Sequence, residues 1–592
     1  MALNRYYEDE LAYLRDLGDM FARENPKLAG FLSRKAADPD VERLLEGFAF
    51  LTANLRQRLD DDLPELVHGL LRLIWPAYLQ PVAPTTTLCF RQTGGGDGAP
   101  TLVPRGTQVR SRPIDGTSCP FITCYPLQVL PLDVARVELE NTATAAELTI
   151  GLAALPQAGF AALAQAPLRL HLSADHDPLV GRTLYLWMRR HLRRIVVRAG
   201  DETLATLPPA SVAPVGFGPG EAVLAQPQNA VEGFRLLQEY LLVPQKFLYV
   251  DIAGLAAVAD TPARALDLLF VFDRPLPQQV RVGRDAVRLN CTPAVNLFPA
   301  AGTPIHVDVA KTEYRITPLD GPALSIHDIT QVSGFVQGAS ERIDYVPFES
   351  FRHDIPGSPA SPGHARGGRA GAAYYRTRIT PAVVGRRIDH YISFVNRLDG
   401  RVLPEAETVS LELTCSSGRL AERLPVGAID QPGANTPSGL AVENIARVTG
   451  EVPPPLADGL LWRLVAGLAC NFNSIADVTT LKQLIATFDF RAVQDEQARR
   501  RLELLLDGLE QFEHGSGDLV MRGVPVRVRH FTLVCQESKV GGEAEMFLLG
   551  CVLERMLSAF ATINSVHQFS IRGSESNVRY AWDARRGTAQ PL

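Results

Sequence analysis

Apolar side chains at the start of the chain recur with a helical period. Leu3, Tyr7, Leu11, Leu14, Leu17 and Phe21 stand three or four positions apart, which places them on one face of one helix. Pro26 ends or bends that helix, because proline lacks an amide hydrogen and crowds the preceding turn. A second helix is expected from Asp38-Pro39, with Asp as N-cap and Pro in the first turn. Its apolar face reads Val41, Leu44, Phe48, Leu51, Leu55 and Leu59. The acidic triplet Asp60-Asp61-Asp62 separates it from a third helix, opened by Pro64, which carries Leu66, Leu70, Leu73 and Ile74 and stops before Pro76.

From about residue 81 the period changes from helical to alternating. Prolines at 81, 84, 100, 104, 113, 120, 126 and 131 punctuate short β-branched runs, and Gly94-Gly95-Gly96 marks a turn or loop tip. Thr101–Pro104 and Leu168–Leu172 read as strands. One helix interrupts this texture: Asn229 caps it, Glu232 follows three residues on, Val231, Phe234, Leu237 and Leu241 line a face, and Pro244 ends it. Strands are expected at Phe247–Ile252, Leu266–Phe272, Val280–Leu289, Tyr374–Ile379, His390–Val395 and Val409–Cys415. After Pro453-Pro454-Pro455 helices are expected at Leu460–Ala469, Val478–Phe488 and Ala544–Phe560, with strands at Phe531–Cys535 and Gln568–Ile571.

These patterns give an α+β multidomain chain. A helical, bundle-forming N-terminal region spans 1–82 and a β-rich domain with one inserted helix spans 83–330. A second β-rich domain with a flexible Gly/Pro/Ser/Arg loop at 356–373 spans 331–450, and an α+β domain spans 451–592. A chain of 592 residues can bury several cores without disulfide or metal staples. No stretch approaches the roughly 20 apolar residues that span a bilayer, and the polar opening Met1–Glu10 is not a signal peptide. These features, with eight dispersed cysteines in apolar strings, lead us to expect a cytoplasmic protein with buried free thiols that does not itself insert into a membrane. The net charge of −6 gives no reason to expect a nucleic-acid partner.

Candidate chemistry is sparse. The chain has no phosphate-binding loop, no His-Glu-x-x-His and no Gly-x-Ser-x-Gly elbow. Gly216-Phe217-Gly218-Pro219-Gly220 lacks the further glycine of a dinucleotide loop and reads as a plain loop. Cys119 and Cys124 have the spacing of half a zinc site, but no second pair with ligand spacing lies nearby, and the candidates His171 and His176 stand about fifty residues away. His353, His390, His530 and His567 sit in apolar or strand contexts. Neither Cys470 nor Cys535 has a local cation that would stabilise a thiolate. We therefore expect no catalytic residue, no metal and no cofactor. The densest basic run, Arg189-Arg190-His191-Leu192-Arg193-Arg194, reads as a solvated helix end or loop between strands, with an acidic partner protein as the other reading.

Blocks of residues along the whole chain resemble one family. Tyr6-Tyr-Glu-Asp-Glu10-Leu-Ala-Tyr-Leu-Arg15, Pro26-Lys-Leu-Ala-Gly30 and Asp38-Pro-Asp-Val-Glu42-Arg-Leu-Leu-Glu-Gly47-Phe-Ala-Phe are followed by Trp75-Pro-Ala-Tyr-Leu79-Gln-Pro. Gly233-Phe-Arg-Leu-Leu-Gln-Glu-Tyr240, Pro244-Gln-Lys-Phe247, Cys291-Thr-Pro-Ala-Val-Asn-Leu-Phe298, Phe348-Glu-Ser-Phe351, Trp462-Arg-Leu464 and Ile563-Asn-Ser565 follow in order. The set resembles TssF, also called VasA or ImpG, the baseplate wedge subunit of type VI secretion. Residues 356–373 and Cys470-Asn-Phe-Asn473 depart from the family pattern locally.

The resemblance implies a fold like that of contractile phage baseplate wedge proteins and a structural role without catalysis. It implies wedges formed with TssG, commonly two copies of this chain per TssG, and with TssK and TssE. Such wedges contact their neighbours around the VgrG hub, support sheath and tube assembly, and dock at the inner-membrane complex through other subunits. A wedge protein of another phage-tail-like contractile injection system shares the same physics. Tyr7, Leu11, Leu14, Leu17 and Phe21 pack either within their own domain or in an inter-subunit helical bundle. Residues Pro76–Pro84 are the expected hinge, should two copies take unequal positions.

Overall fold

The computed structural model describes residues 7, 11, 14, 39–61, 64–93, 99–156, 158–172, 177–224, 232–308, 311–321, 323–336, 342–349, 373–382, 387–395, 407–456, 477–521, 523–560 and 565–587. Leu3, Leu17, Phe21, Pro26, Asp38, the Gly94–Gly96 tip, His176, Asn229, Val231, His353, nearly all of the loop 356–373, the helix expected at Leu460–Ala469, and Cys470 lie outside these residues.

Two N-terminal helices are described, Pro39–Asp61 and Pro64–Ile74. Each turns a different face inward from the one its bulkiest residues suggest. On the first, the small side chains Ala49 and Ala53 are fully buried, while Leu44, Phe48 and Leu51 of the expected face are exposed. On the second, Leu71 is buried with His68, and the inward line continues through Trp75 and Tyr78; Leu70 and Ile74 are exposed. The aromatic residues after the second helix fix which way that helix is rolled.

The following segment is clamped rather than hinged. Trp75 and Tyr78 enter an aromatic cluster with Phe234, Phe488 and Phe490, whose centroid separations from them run from 4.8 to 6.2 Å. The Tyr78 hydroxyl donates to the Thr487 carbonyl at 2.8 Å. Val82 exchanges backbone hydrogen bonds with Val452 at 2.7 and 3.0 Å, and the His327 ring stands 2.9 Å from the Pro81 carbonyl. An element tied to four distant parts of the chain has no freedom to bend on its own.

The β-rich middle consists of nested sheets. A six-stranded sheet runs, in order, Gln431–Pro432, Gln108–Arg110, Pro120–Thr123, Cys291–Val295, Thr85–Gln92 and Leu440–Asn444. Residues distant in sequence therefore close one core, built on Leu88, Phe90, Phe121, Ile429 and Val442. Between its strands the chain builds an antiparallel five-stranded sheet (Glu202–Leu207, Leu192–Ala199, Ala265–Phe272, Ala146–Ala154, Leu132–Asn141). A four-stranded sheet (Val212–Val215, Tyr249–Ile252, Leu168–Leu172, Val287–Leu289) lies in the same stretch of chain. Strand Ala265–Phe272 shows the cause of burial plainly: Leu266, Leu268, Phe270 and Phe272 alternate inward. The strand expected over Val280–Leu289 is only Val287–Leu289, because the Val280 amide closes a turn onto the Pro277 carbonyl and a short 3-10 turn occupies Arg284–Ala286.

Eight strands lying between Phe298 and Ser416 form one sheet with its own core around Val332, Ile392, Leu411 and Leu413. Residues 330 and 331 both lie inside its strand Ser325–Val336. The C-terminal part is a long hairpin, Leu509–Met521 with Val524–Cys535, whose second strand runs parallel to Val566–Gly573. The helix Glu543–Phe560 makes that parallel crossover, as parallel pairing requires a long connection. Its buried Met546, Phe547, Leu549, Val552, Leu553 and Met556 join one large core with Phe234 and Leu237 of helix Glu232–Leu242.

Candidate functional site

Among the described residues, exposed apolar side chains gather on the outer face of helix Pro39–Asp61. Leu44, Phe48 and Leu51 are 73, 55 and 61% exposed and follow one another at helical spacing. Phe50 on the same helix, and Leu70 and Ile74 on the next, are exposed as well. Single exposed leucines are ordinary, but a contiguous apolar stripe beside a polar rim marks a surface that meets something. Of the residues singled out in the first helix, Tyr7, Leu11 and Leu14 are helical; Leu11 is buried and the other two are half-buried within this chain.

The remaining candidates resolve into packing. Gly216 has φ of +98°, and a Cβ there would stand 2.6 Å from the Lys246 carbonyl. The Glu221 carboxylate accepts from the Gly216 and Gly218 amides at 2.7 and 2.9 Å. The glycine loop is thus tied to its own protein, with the Gly216 and Gly218 amides already used. Behind it the fully buried Glu239 accepts from the Val223 and Leu224 amides, from Arg235 at 2.8 Å and from Lys246 at 2.5 Å. Two cations and two amides around one carboxylate hold the inserted helix to the loop, a contact that sequence spacing alone does not reveal.

Cys119 and Cys124 are buried, and burial pushes the Cys124 thiol up to about 12. The Cys535 thiol is likewise pushed up by burial, so neither thiol is poised as a nucleophile or ligand. Burial holds His171, His390 and His567 down to about 4, in their neutral form. His530 Nδ1 stands 3.1 Å from the Gln568 side-chain oxygen. Among the described residues no group of three or more His, Cys, Asp or Glu side chains comes together as metal ligands would. The basic run is divided between a π-helical turn, Trp187–His191, and the strand Leu192–Ala199.

The family described as type VI secretion system, TssF matches residues 1–589. The chain belongs to the TssF family. The type VI secretion system component TssF1 of Pseudomonas aeruginosa (strain PAO1) is 30% identical to it, over 100% of this chain and 99% of that protein. Among solved structures, a chain of the type VI secretion system TssK-TssF-TssG baseplate subcomplex, determined by cryo-electron microscopy, superposes with a TM-score of 0.73. It is 26% identical and covers 93% of this chain and all of that chain. A chain of the type VI secretion baseplate complex, 24% identical, gives a TM-score of 0.59 with full coverage of both and bears on the fold alone. TssF is a type VI secretion baseplate component, and the mixed, β-rich fold seen here is that of the baseplate wedge structures.

Proposed function

We propose that this TssF chain is a structural wedge subunit that assembles with TssG, at two copies per TssG, and with TssK and TssE. In this reading the wedges contact one another around the VgrG spike and support sheath and tube assembly. The observation that carries it is the end-to-end match of fold to a chain of the TssK-TssF-TssG subcomplex. The exposed stripe Leu44, Phe48 and Leu51 supplies the physical reason for assembly, since large obligate interfaces resemble a core cut open. Tyr7, Leu11, Leu14, Leu17 and Phe21 belong to the same proposed contact: Tyr7 and Leu14, half-buried here, complete their burial against a partner helix. The role requires no catalysis.

The chain works in the cytoplasm and reaches the inner-membrane complex through other baseplate subunits. In support, no helix among the described residues is long and apolar enough to cross a membrane. The test is co-purification with a tagged TssG homologue, with the mass of the complex read by light scattering. A complex with two copies of this chain per TssG is expected. A lone chain that ignores TssG overturns the partnership, and a complex of equal copies overturns the stoichiometry.

A further inference from the structure

The π-helical turn Trp187–His191 ends helix Pro178–Leu186 and carries Arg189 and Arg190. A π turn widens the helix and re-aims its side chains, and such turns recur at functional positions. Here it brings both arginines to a cavity of about 320 Å³ together with Arg555 and Arg585, which come from segments more than 350 residues further along the chain. The carboxylates lining the cavity are Glu554 and Asp583, so four guanidinium groups stand against two negative charges. Glu554 is already engaged: Arg585 Nε donates to it at 2.8 Å and Arg555 Nε lies 3.4 Å away.

The arginines are held but not saturated. The Arg190 guanidinium lies 5.3 Å from the Phe547 ring centroid and 5.1 Å from that of Trp582, and it donates to the Ala581 carbonyl at 2.7 Å. Arg189 donates to the Val212 carbonyl. Each guanidinium has five N–H donors, so these contacts orient the forks and leave donors over. The cavity is also lined by Tyr185, which is 1% exposed, with the Cys551 thiol beside its hydroxyl. Spare planar donors and an excess of positive charge call for an acceptor oxygen.

We propose that this cavity receives a carboxylate from an acidic segment of a partner protein. A carboxylate is flat and matches a guanidinium fork with two parallel hydrogen bonds. The apolar surfaces of Phe217, Phe547 and Trp582 suit the methylenes that carry a glutamate carboxylate better than they suit a bare inorganic anion. The site rests on the cavity alone and is independent of the apolar face on helix Pro39–Asp61.

The test uses the full chain and a fluorescein-labelled octaglutamate peptide, with binding read by anisotropy at low ionic strength. We expect binding that Arg189→Gln/Arg190→Gln weakens about tenfold or more, and that Arg190→Lys, which keeps charge but loses the fork, weakens less. Arg193→Gln/Arg194→Gln, at exposed positions of the following strand, is expected to leave it unchanged. Equal weakening by both double variants would show a diffuse field and overturn the proposal. So would the absence of binding, or displacement of the peptide by inorganic phosphate at lower concentration than by glutarate. Should Arg189→Gln/Arg190→Gln fail to fold, the unaltered chain still decides: unlabelled octaglutamate should change the Trp582 fluorescence, identified by its loss in Trp582→Phe, and no change refutes the site.

Discussion

Replacing Glu239 with Gln probes the charge cluster that ties the inserted helix to the glycine loop. Glutamine keeps the shape, but its NH2 faces donors where a carboxylate faced them. Arg235 and Lys246, whose side chains are 3 and 0% exposed, then lose their buried counter-charge. Removing one partner of a buried ion pair costs about 3–5 kcal/mol, because the other charge stays buried and uncompensated. Lys246 sets a ceiling on that cost. Burial already holds its pKa down to about 8 while Glu239 holds it up, so without the carboxylate the lysine sheds its proton near neutral pH.

Lys246→Met leaves Glu239 with Arg235 and two amide donors and is expected to cost less, about 1–3 kcal/mol. The double variant should cost less than the sum of the singles by about 0.5–3 kcal/mol, as contacting residues couple. A chain with several cores has no single unfolding midpoint. The measurement is therefore native-state hydrogen exchange at amides 218–224 and 232–248, where protection reports local opening. Unchanged protection in Glu239→Gln, or strict additivity of the two substitutions, would refute the reading of the cluster as a mutually dependent network.

Further outcomes are expected from other parts of the molecule. Leu44→Asp/Phe48→Asp should abolish co-purification with the TssG homologue while shifting the chain's own stability by less than about 0.5 kcal/mol, since both side chains are exposed; Leu71→Ala, at a fully buried site, should instead cost about 2–5 kcal/mol in denaturant titration. Gly216→Ala combines a positive φ with a clash against the Lys246 carbonyl and should destabilise the loop by more than about 1 kcal/mol, seen as faster proteolysis near residue 216. Burial lowers His171, His390 and His567 from 6.5 to about 4, so between those values the unfolded chain binds protons that the folded chain does not. Stability should therefore rise from about pH 4 to 6.5 and be lost on acidification through that window, with Glu451 and Glu554, whose pKa values burial raises, acting in the opposite sense. His171→Phe should flatten that acid limb in a pH series of thermal midpoints.

Local periodicity was enough to place helix Val478–Phe488, the helix ending at Phe560, the helix after Pro64 and strand Leu168–Leu172, because spacing along the chain alone determines which side chains share a face. It was not enough to say which face turns inward. Leu44, Phe48 and Leu51 read as core, yet Ala49 and Ala53 are the buried pair. An apolar stripe looks the same in sequence whether it meets its own domain or another protein. Pro76–Pro84 was the expected hinge for two copies in unequal positions, whereas aromatic packing and pairing to Val452 fix it within this chain.

The family itself was legible from blocks in order along the chain, and with it the mixed α+β class. What the tertiary structure alone decided is nonlocal. Thr85–Gln92 pairs with Leu440–Asn444, Glu239 finds Lys246 around the turn, and Arg189 and Arg190 meet Arg555 and Arg585 across one cavity. Spacing fixes local conformation because it acts through neighbouring residues. Sheet pairing and charge clusters depend on how distant segments are brought together, and that is set by burial of the whole apolar surface at once.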